Sequence, residues 1–446
     1  MNWIIENLTN IDKNQFLVFS DTVYTYQDLR EEINKCFFNI SSKIEAGKTV
    51  AILSDYSIES IALFFALFEN KNIIVPITSK IQSDIDHKIK TSLSNFYIEI
   101  DNQELIITST EFLEMPYSLV ETLVNQGKSG LILFSSGSTG QPKAMIHDLD
   151  ILINSFRYKN RKKLNFLVFL MFDHIGGINT LLNCISMGVT TILPSNRDPL
   201  DVCRIISKFE INVLPASPTF LNLILLSGAH LQFDLSSLRM ITYGTEPMPV
   251  SLLNRLKDVF PKVKFLQTFG TSETGISQMT SKSSNSTLMR FEDENTETKV
   301  VNGELYIRSK TQILGYLNFS MDRFTDDGWF RTGDLVEEAG DRFFRIIGRN
   351  SEIINVGGEK VLPSEVESVL FQFEKIQDCI VFGESNPITG QIVVAKILFS
   401  EDISIKEIKR EIQNFCRGKI EGFKIPVKII QMKNSEFSER FKKKRS

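Results

Sequence analysis

Apolar and polar positions alternate along the chain in blocks. TVAILS, over Thr49–Ser54, is almost wholly apolar and β-branched in character, which predicts a strand buried on both faces. The following segment, SIESIALFFALFEN, is apolar on nearly every side, and so predicts a helix enclosed between layers. NIIVPI, over Asn72–Ile77, predicts a second strand. Strand, helix and strand in this order form a βαβ unit, which requires a parallel sheet. The pattern returns in LILF just before Ser135, in VTTILP (Val189–Pro194), INVLPA (Ile211–Ala216) and LRMITYG (Leu238–Gly244), with helical segments between them. The expected body is a doubly wound α/β fold.

Beyond about residue 295 the blocks shorten. GELYIRS and RFFRIIG are strand-like pieces separated by glycine and aspartate turns, which predicts a small β-barrel-like part. GRNSEIINVGGEKVLPSEVESVL then leads into a helix, with a linker near Arg349–Ser351. The remainder mixes the strands DCIVFGES and QIVVAKILFS with the charged helix SIKEIKREIQNFCRGKI, an α+β unit. The expected division is 1–348 for a large N-terminal domain, 349–351 for a linker and 352–446 for a small C-terminal domain.

Composition changes this picture little. With 42% hydrophobic residues, 23% charged residues and a net charge of −4, the 446-residue chain is of ordinary globular type, and no whole-chain basic excess points to nucleic acid. The five cysteines are scattered without a CxxC pair, as expected of buried thiols in a reducing compartment. MNWIIENLTN has no basic segment leading into an apolar core, and apolar runs such as Phe166–Phe172 are too short to span a bilayer. The expectation is a cytoplasmic protein with no membrane span.

The most informative stretch is LILFSSGSTGQPKAMIH. Ser135, Ser136, Ser138 and Thr139 offer hydroxyls, Gly137 and Gly140 allow backbone N–H groups to turn toward an anion, and Lys143 adds positive charge. Pro142 before the lysine and Ala144 after it depart from the GxxxxGK[ST] nucleotide loop. Taken alone, the stretch suits either a phosphate grip or a polar turn.

Companions in fixed order decide between these. SSGSTGQPKAMIH closely resembles the phosphate loop of the adenylate-forming enzyme superfamily, which includes acyl-CoA synthetases, luciferases and peptide synthetase adenylation domains. FLQTFGTSETG (Phe265–Gly275) is similar to its aromatic-Gly-x-Thr-Glu motif, with Ser272 where threonine is usual. GELYIRSKTQILGYLN (Gly303–Asn318), GWFRTGDL (Gly328–Leu335), IGRNSEIINVGGEKVLPSEVE (Ile347–Glu367) and YTYQDL (Tyr24–Leu29) fit as well, so the resemblance covers almost the whole chain.

The resemblance implies ATP- and Mg2+-dependent activation of a carboxylic acid as an acyl-adenylate, followed by thioester formation with CoA. A separate carrier protein's phosphopantetheine is the alternative acceptor, and a degenerate ATP-binding protein without turnover is the alternative class. Fatty acids and aryl acids are the substrates in view. The loop from Ser135 to Lys143 would hold the β- and γ-phosphates, Ser272 would touch the α-phosphate, and Glu273 would bind Mg2+. Asp334 would accept the ribose hydroxyls, with Arg349 beside it. Tyr243, Gly244 and Thr245, in TYGTEP, together with Phe269 and Gly270, would border the adenine, although Tyr243 and Glu246 depart from the usual Gly-Gly-Ala-like run. His174 in MFDHIGGIN corresponds to a histidine that gates the acyl pocket; a satisfied core histidine is the other reading. Gly176 and Gly177 suggest an elongated pocket. The linker at 349–351 would be a hinge, and the small C-terminal domain would be mobile. In the C-terminal Pro-x-Thr-x-x-Gly-Lys-x-x-Arg context, counting from Pro426 places Lys442 at the adenylation lysine and Arg445 at the arginine. Glu436 and Phe441 replace the proline and glycine, Lys443 and Lys444 lie next door, and a basic tail is the plain alternative.

Overall fold

The computed structural model describes residues 2–112, 116–135, 142–400, 405–437 and 443, with the backbone alone at Lys406. Two seven-stranded sheets form the main body. The first runs in the order Lys264–Gln267, Met240–Tyr243, Val213–Ala216, Asn165–Leu167, Thr190–Leu193, Phe16–Phe19, Thr22–Thr25. It is parallel throughout, except for the antiparallel hairpin of its last two strands. The second runs Gly315–Tyr316, Lys143–Asp148, Gly130–Ser135, Ile73–Ile77, Thr49–Leu53, Phe96–Asp101, Glu104–Ser109, parallel in the middle and antiparallel toward both edges.

The helices Tyr26–Ser41, Ile58–Glu69 and Ile175–Met187 share one core with strands of both sheets. Ile58–Glu69 is the enclosed helix that its composition predicts, with every residue from Ile58 to Phe68 buried. It starts at a reciprocal cap: Ser60 donates its backbone N–H to the Ser57 hydroxyl, and Ser57 donates its own to the Ser60 hydroxyl. Each fully buried phenylalanine, leucine or isoleucine here contributes about 1.5–3 kcal/mol.

A six-stranded antiparallel sheet occupies the place of the expected barrel-like part, with strands Met279–Ser281, Met289–Phe291, Phe343–Arg349, Phe330–Ala339, Glu304–Ser309 and Thr296–Val301 in that order. Its own small core includes Met289, Leu305, Ile307 and Phe344. The last sheet, built from Ile354–Val356, Glu359–Val361, Ile376–Asn386, Gly390–Phe399 and Lys428–Gln431, packs against the helices Pro363–Leu370 and Ile405–Cys416 around a separate core. Ser351 lies in the 3-10 turn Asn350–Glu352 between these two sheets.

All five cysteines are buried. Among the described residues no helix is long and apolar enough to cross a membrane. One expectation fails. A Cβ on Gly177 would lie 2.1 Å from the Met171 carbonyl oxygen and 2.7 Å from the Tyr56 hydroxyl, and one on Gly176 would lie 2.7 Å from Leu170. These glycines permit close packing of the helix start against its own approach segment, and do not widen a pocket.

Candidate active site

Ser135 ends the strand Gly130–Ser135 and Lys143 begins Lys143–Asp148; the two residues face each other across the antiparallel ladder. The hydroxyl-rich loop therefore joins two adjacent strands of the second sheet. Ser136, Gly137, Ser138, Thr139 and Gly140 lie outside the described residues, as does Lys442. The base of the loop is clamped from far away in sequence: Asn318 accepts the Ala144 N–H at 2.8 Å and donates to the Pro142 carbonyl at 3.0 Å.

The same GYLN segment supplies Tyr316, on the two-residue edge strand that pairs with Met145 and Ile146. Its hydroxyl donates to Glu273 Oε1 at 2.9 Å, and both residues are buried. Burial raises the Tyr316 pKa, and the Glu273 charge and hydrogen bond raise it further, so the phenol remains a donor. Lys143 Nζ lies 5.5 Å from the Tyr316 ring centre and 5.1 Å from that of Phe319, within cation–π range. Lys143, Tyr316 and Glu273 thus form one chain of contacts. The Glu273 backbone is fixed as well, its carbonyl accepting the Ile313 N–H at 2.8 Å.

His147, on the strand Lys143–Asp148, is fully buried, with backbone groups of Thr311 and Ser272 facing its ring. Among the described residues neither ring nitrogen finds a well-formed hydrogen bond. Burial lowers its pKa to about 4, so the ring is neutral near pH 7. Ser272 itself is half-buried.

Asp334 sits on the long strand Phe330–Ala339, directly opposite Arg349 on Phe343–Arg349. Arg349 Nε donates to Asp334 Oδ1 at 2.8 Å. Asp334 is 4% exposed, whereas the arginine side chain keeps half its surface exposed while reaching into the cleft. The Asp334 carboxylate raises the Arg349 pKa, desolvation opposes it, and the charge of Glu273 adds a smaller upward push.

Tyr243 ends the strand next to the edge of the first sheet and Gly244 follows it; Thr268 donates its N–H to the Tyr243 carbonyl at 2.7 Å, which brings Phe269 and Gly270 alongside. A Cβ on Gly244 would meet Thr268 at 2.7 Å, so glycine is required at this approach. Thr245 has φ of 73°, a left-handed conformation that is costly for a β-branched residue. Its buried hydroxyl has no hydrogen-bond partner among the described residues. Glu246 accepts the Thr219 N–H at 2.7 Å and the Lys443 N–H at 3.4 Å. Burial raises its pKa, although part of its surface is still exposed.

His174 caps the helix Ile175–Met187, its Nδ1 accepting the Gly176 N–H at 3.0 Å, which places the proton of the neutral ring on Nε2. That helix packs against the short strand Gly275–Ser277, which follows Glu273.

The sequence singled out Glu273, Lys143, Asp334 and Arg349; in the fold Tyr316 links the first two, and the last two pair with each other. It did not single out Tyr316, Asn318 or His147. The signal for the first two lay in the quoted GYLN motif; for His147 it lay in a histidine directly after the apolar run Ala144–Ile146.

Among the described residues no group of three or more His, Cys, Asp or Glu side chains could hold a metal ion. A buried carboxylate, Glu273, linked through Tyr316 to Lys143, fits a Mg2+ ion that arrives coordinated by phosphate oxygens and water, and does not fit a resident all-protein site.

Comparison with known proteins agrees with these motifs. The AMP-binding enzyme family matches residues 9–317, and the AMP-binding enzyme C-terminal domain matches residues 365–442. A putative acyl-CoA ligase, YdaB, of Bacillus subtilis is 25% identical, covering 95% of this chain and 93% of its own. The 2-succinylbenzoate–CoA ligase of Bacillus licheniformis is 23% identical over 95% of this chain and 94% of its own. Among solved structures, the anthranilate CoA ligase AuaEII in complex with anthranoyl-AMP has a TM-score of 0.80 at 19% identity, covering 98% of this chain and 94% of that one. Bacillus subtilis o-succinylbenzoate CoA synthetase, in complex with ATP and magnesium ion, has a TM-score of 0.76 at 20% identity, covering 99% and 98%. Motifs, fold and family match converge: the chain belongs to the AMP-binding enzyme family.

Proposed function

We propose that this protein is an AMP-forming acid–thiol ligase that uses ATP and Mg2+ to convert a carboxylic acid into an acyl-adenylate and then into a CoA thioester. The observation that carries the reading is the contact chain Lys143–Tyr316–Glu273, together with the Asp334–Arg349 pair. Cationic groups and a metal-seeking carboxylate suit a triphosphate, and a buried short carboxylate suits the two hydroxyls of a ribose.

In this reading a carboxylate oxygen attacks the α-phosphorus and pyrophosphate leaves. Mg2+, when bound, neutralises phosphate charge. Glu273 is held in place for that ion by Tyr316. Lys143 and the loop from Ser135 to Gly140 take the β- and γ-phosphates, and Ser272 takes the α-phosphate. Asp334 and Arg349 hold the ribose, with Tyr243, Gly244, Thr245, Phe269 and Gly270 around the base. His174 lines the acyl pocket. The thiol then attacks the acyl carbon and AMP leaves. Residues 349–351 act as the hinge between the 1–348 and 352–446 domains, so that Lys442 serves the first half-reaction and is withdrawn in the second.

The acyl-CoA ligases among the relatives support CoA as the acceptor. The test is pyrophosphate exchange into ATP, screened over aryl, short-chain and long-chain acids, followed by thioester formation with CoA or with a phosphopantetheinylated carrier protein. Exchange with none of the acids would sink the reading. Exchange followed by transfer to the carrier alone would move the acceptor.

A further inference from the structure

Lys443 occupies a socket that the proposed reaction does not account for. Its ammonium lies 2.7 Å from the Cys379 carbonyl, 3.4 Å from Glu367 and 3.9 Å from Asp378, with the Phe371 ring centre at 4.8 Å. The three charged side chains are all nearly closed off from solvent: 10% exposed for the lysine, 4% and 5% for the acids. The socket itself is braced, since Glu367 Oε1 accepts the Val381 N–H and Asp378 Oδ1 accepts the Cys379 N–H, both at 2.9 Å. A desolvated lysine facing two carboxylates and a carbonyl is held far more firmly than one in a solvated tail.

All of these partners belong to the C-terminal sheet, to the helix Pro363–Leu370 packed on it, or, for Phe371, to that helix's C-cap. The backbone of Lys443 reaches the other way: its N–H donates to Glu246, in the loop that follows the strand Met240–Tyr243. Glu246 is in turn fixed by the Thr219 N–H at the start of the helix Pro218–Leu226. A second contact across the same seam, Asn222 Nδ2 to the Gln377 carbonyl at 3.3 Å, lies beside it. Lys443 is thus anchored to the C-terminal unit by its side chain and to the adenine-side loop by its backbone.

We propose that Lys443 is a positioning residue, a tether that fixes the C-terminal tail against the nucleotide side of the cleft for the adenylation step. The inference rests on the reading of Lys442, its neighbour in sequence, as the adenylation lysine. The socket travels with the C-terminal unit, whereas the Glu246 contact exists only while the two units are apposed as they are here. Loss of the tether should therefore weaken the first half-reaction and spare the second.

The experiment measures both half-reactions in Lys442→Ala, Lys443→Met, Lys443→Arg and Glu246→Gln: acid-dependent pyrophosphate exchange, and thioester formation from a synthetic acyl-adenylate supplied with CoA. The expected result for Lys443→Met is a loss of exchange of tenfold or more in kcat, with thiol transfer within twofold of wild type and exchange largely restored by arginine. Glu246→Gln, which leaves the socket intact, should show the same asymmetry if Lys443→Met fails to fold. Equal loss in both half-reactions, or exchange unaffected in both Lys443→Met and Glu246→Gln, would overturn the tether. Lys442→Ala separates the underlying reading: impaired exchange there with normal Lys443→Met defeats only the tether. Normal exchange in Lys442→Ala with loss in Lys443→Met defeats both and moves the reactive charge to Lys443.

Discussion

Single side chains set the electrostatics of the cleft, and two of them make specific demands. The Tyr316 hydroxyl bonded to Glu273 is a hydrogen bond to a charged group, worth about 1.5–3 kcal/mol. Tyr316→Phe should raise the Mg2+ concentration needed for half-maximal pyrophosphate exchange by about tenfold; a titration against Mg2+ at saturating ATP and acid measures it. His147 makes a demand on pH. Its pKa falls from an ordinary 6.5 to about 4 because the buried ring resists protonation, so the folded state prefers the neutral form. Its contribution to stability is complete above pH 6.5 and is lost as the pH falls toward 4, with a slope of up to about 1.4 kcal/mol per pH unit. Denaturant unfolding between pH 7 and 4.5 should show a shallower decline for His147→Leu than for wild type.

Elements were legible from the chain where burial dictates composition. The parallel strands Thr49–Leu53 and Ile73–Ile77 and the helix Ile58–Glu69 are covered on all sides, so their sequences are apolar with little alternation. What the pattern does not encode is which sheet a strand joins. Phe16–Phe19 is far in sequence from its parallel partner Thr190–Leu193, and Gly315–Tyr316 is too short to register as a strand at all. For the same reason Asn318 and Tyr316 escaped notice: their partners at Pro142, Ala144 and Glu273 become neighbours only in the folded chain. Gly177 was misread because small size signals room in a sequence and close contact in a packed structure. The packed reading predicts that Gly177→Ala destabilises the protein by about 1–3 kcal/mol through overpacking, and thermal unfolding should show the drop.

At the scale of the molecule, the second sheet carries Ser135 and Lys143 opposite each other on adjacent strands, and the antiparallel sheet pairs Asp334 with Arg349. The C-terminal sheet closes over the seam at Glu246 and Asn222. The proposed alternation of that unit between two half-reactions predicts an asymmetric phenotype: Lys442→Ala should cut adenylation at least a hundredfold while leaving thiol transfer from supplied acyl-adenylate nearly intact. Rapid-quench measurement of each step checks it.

The pairing of Phe16–Phe19 with Thr190–Leu193 also has a consequence in time. At a synthesis rate of about 5–20 residues per second, the first hairpin leaves the ribosome roughly 9–35 s before its parallel partner. During that interval it presents an unpaired strand edge and unburied apolar side chains such as Leu17, a liability for association between nascent chains. The first sheet cannot be completed until Lys264–Gln267 has also emerged, so its assembly comes late in biogenesis, after the middle of the second sheet already has all of its strands.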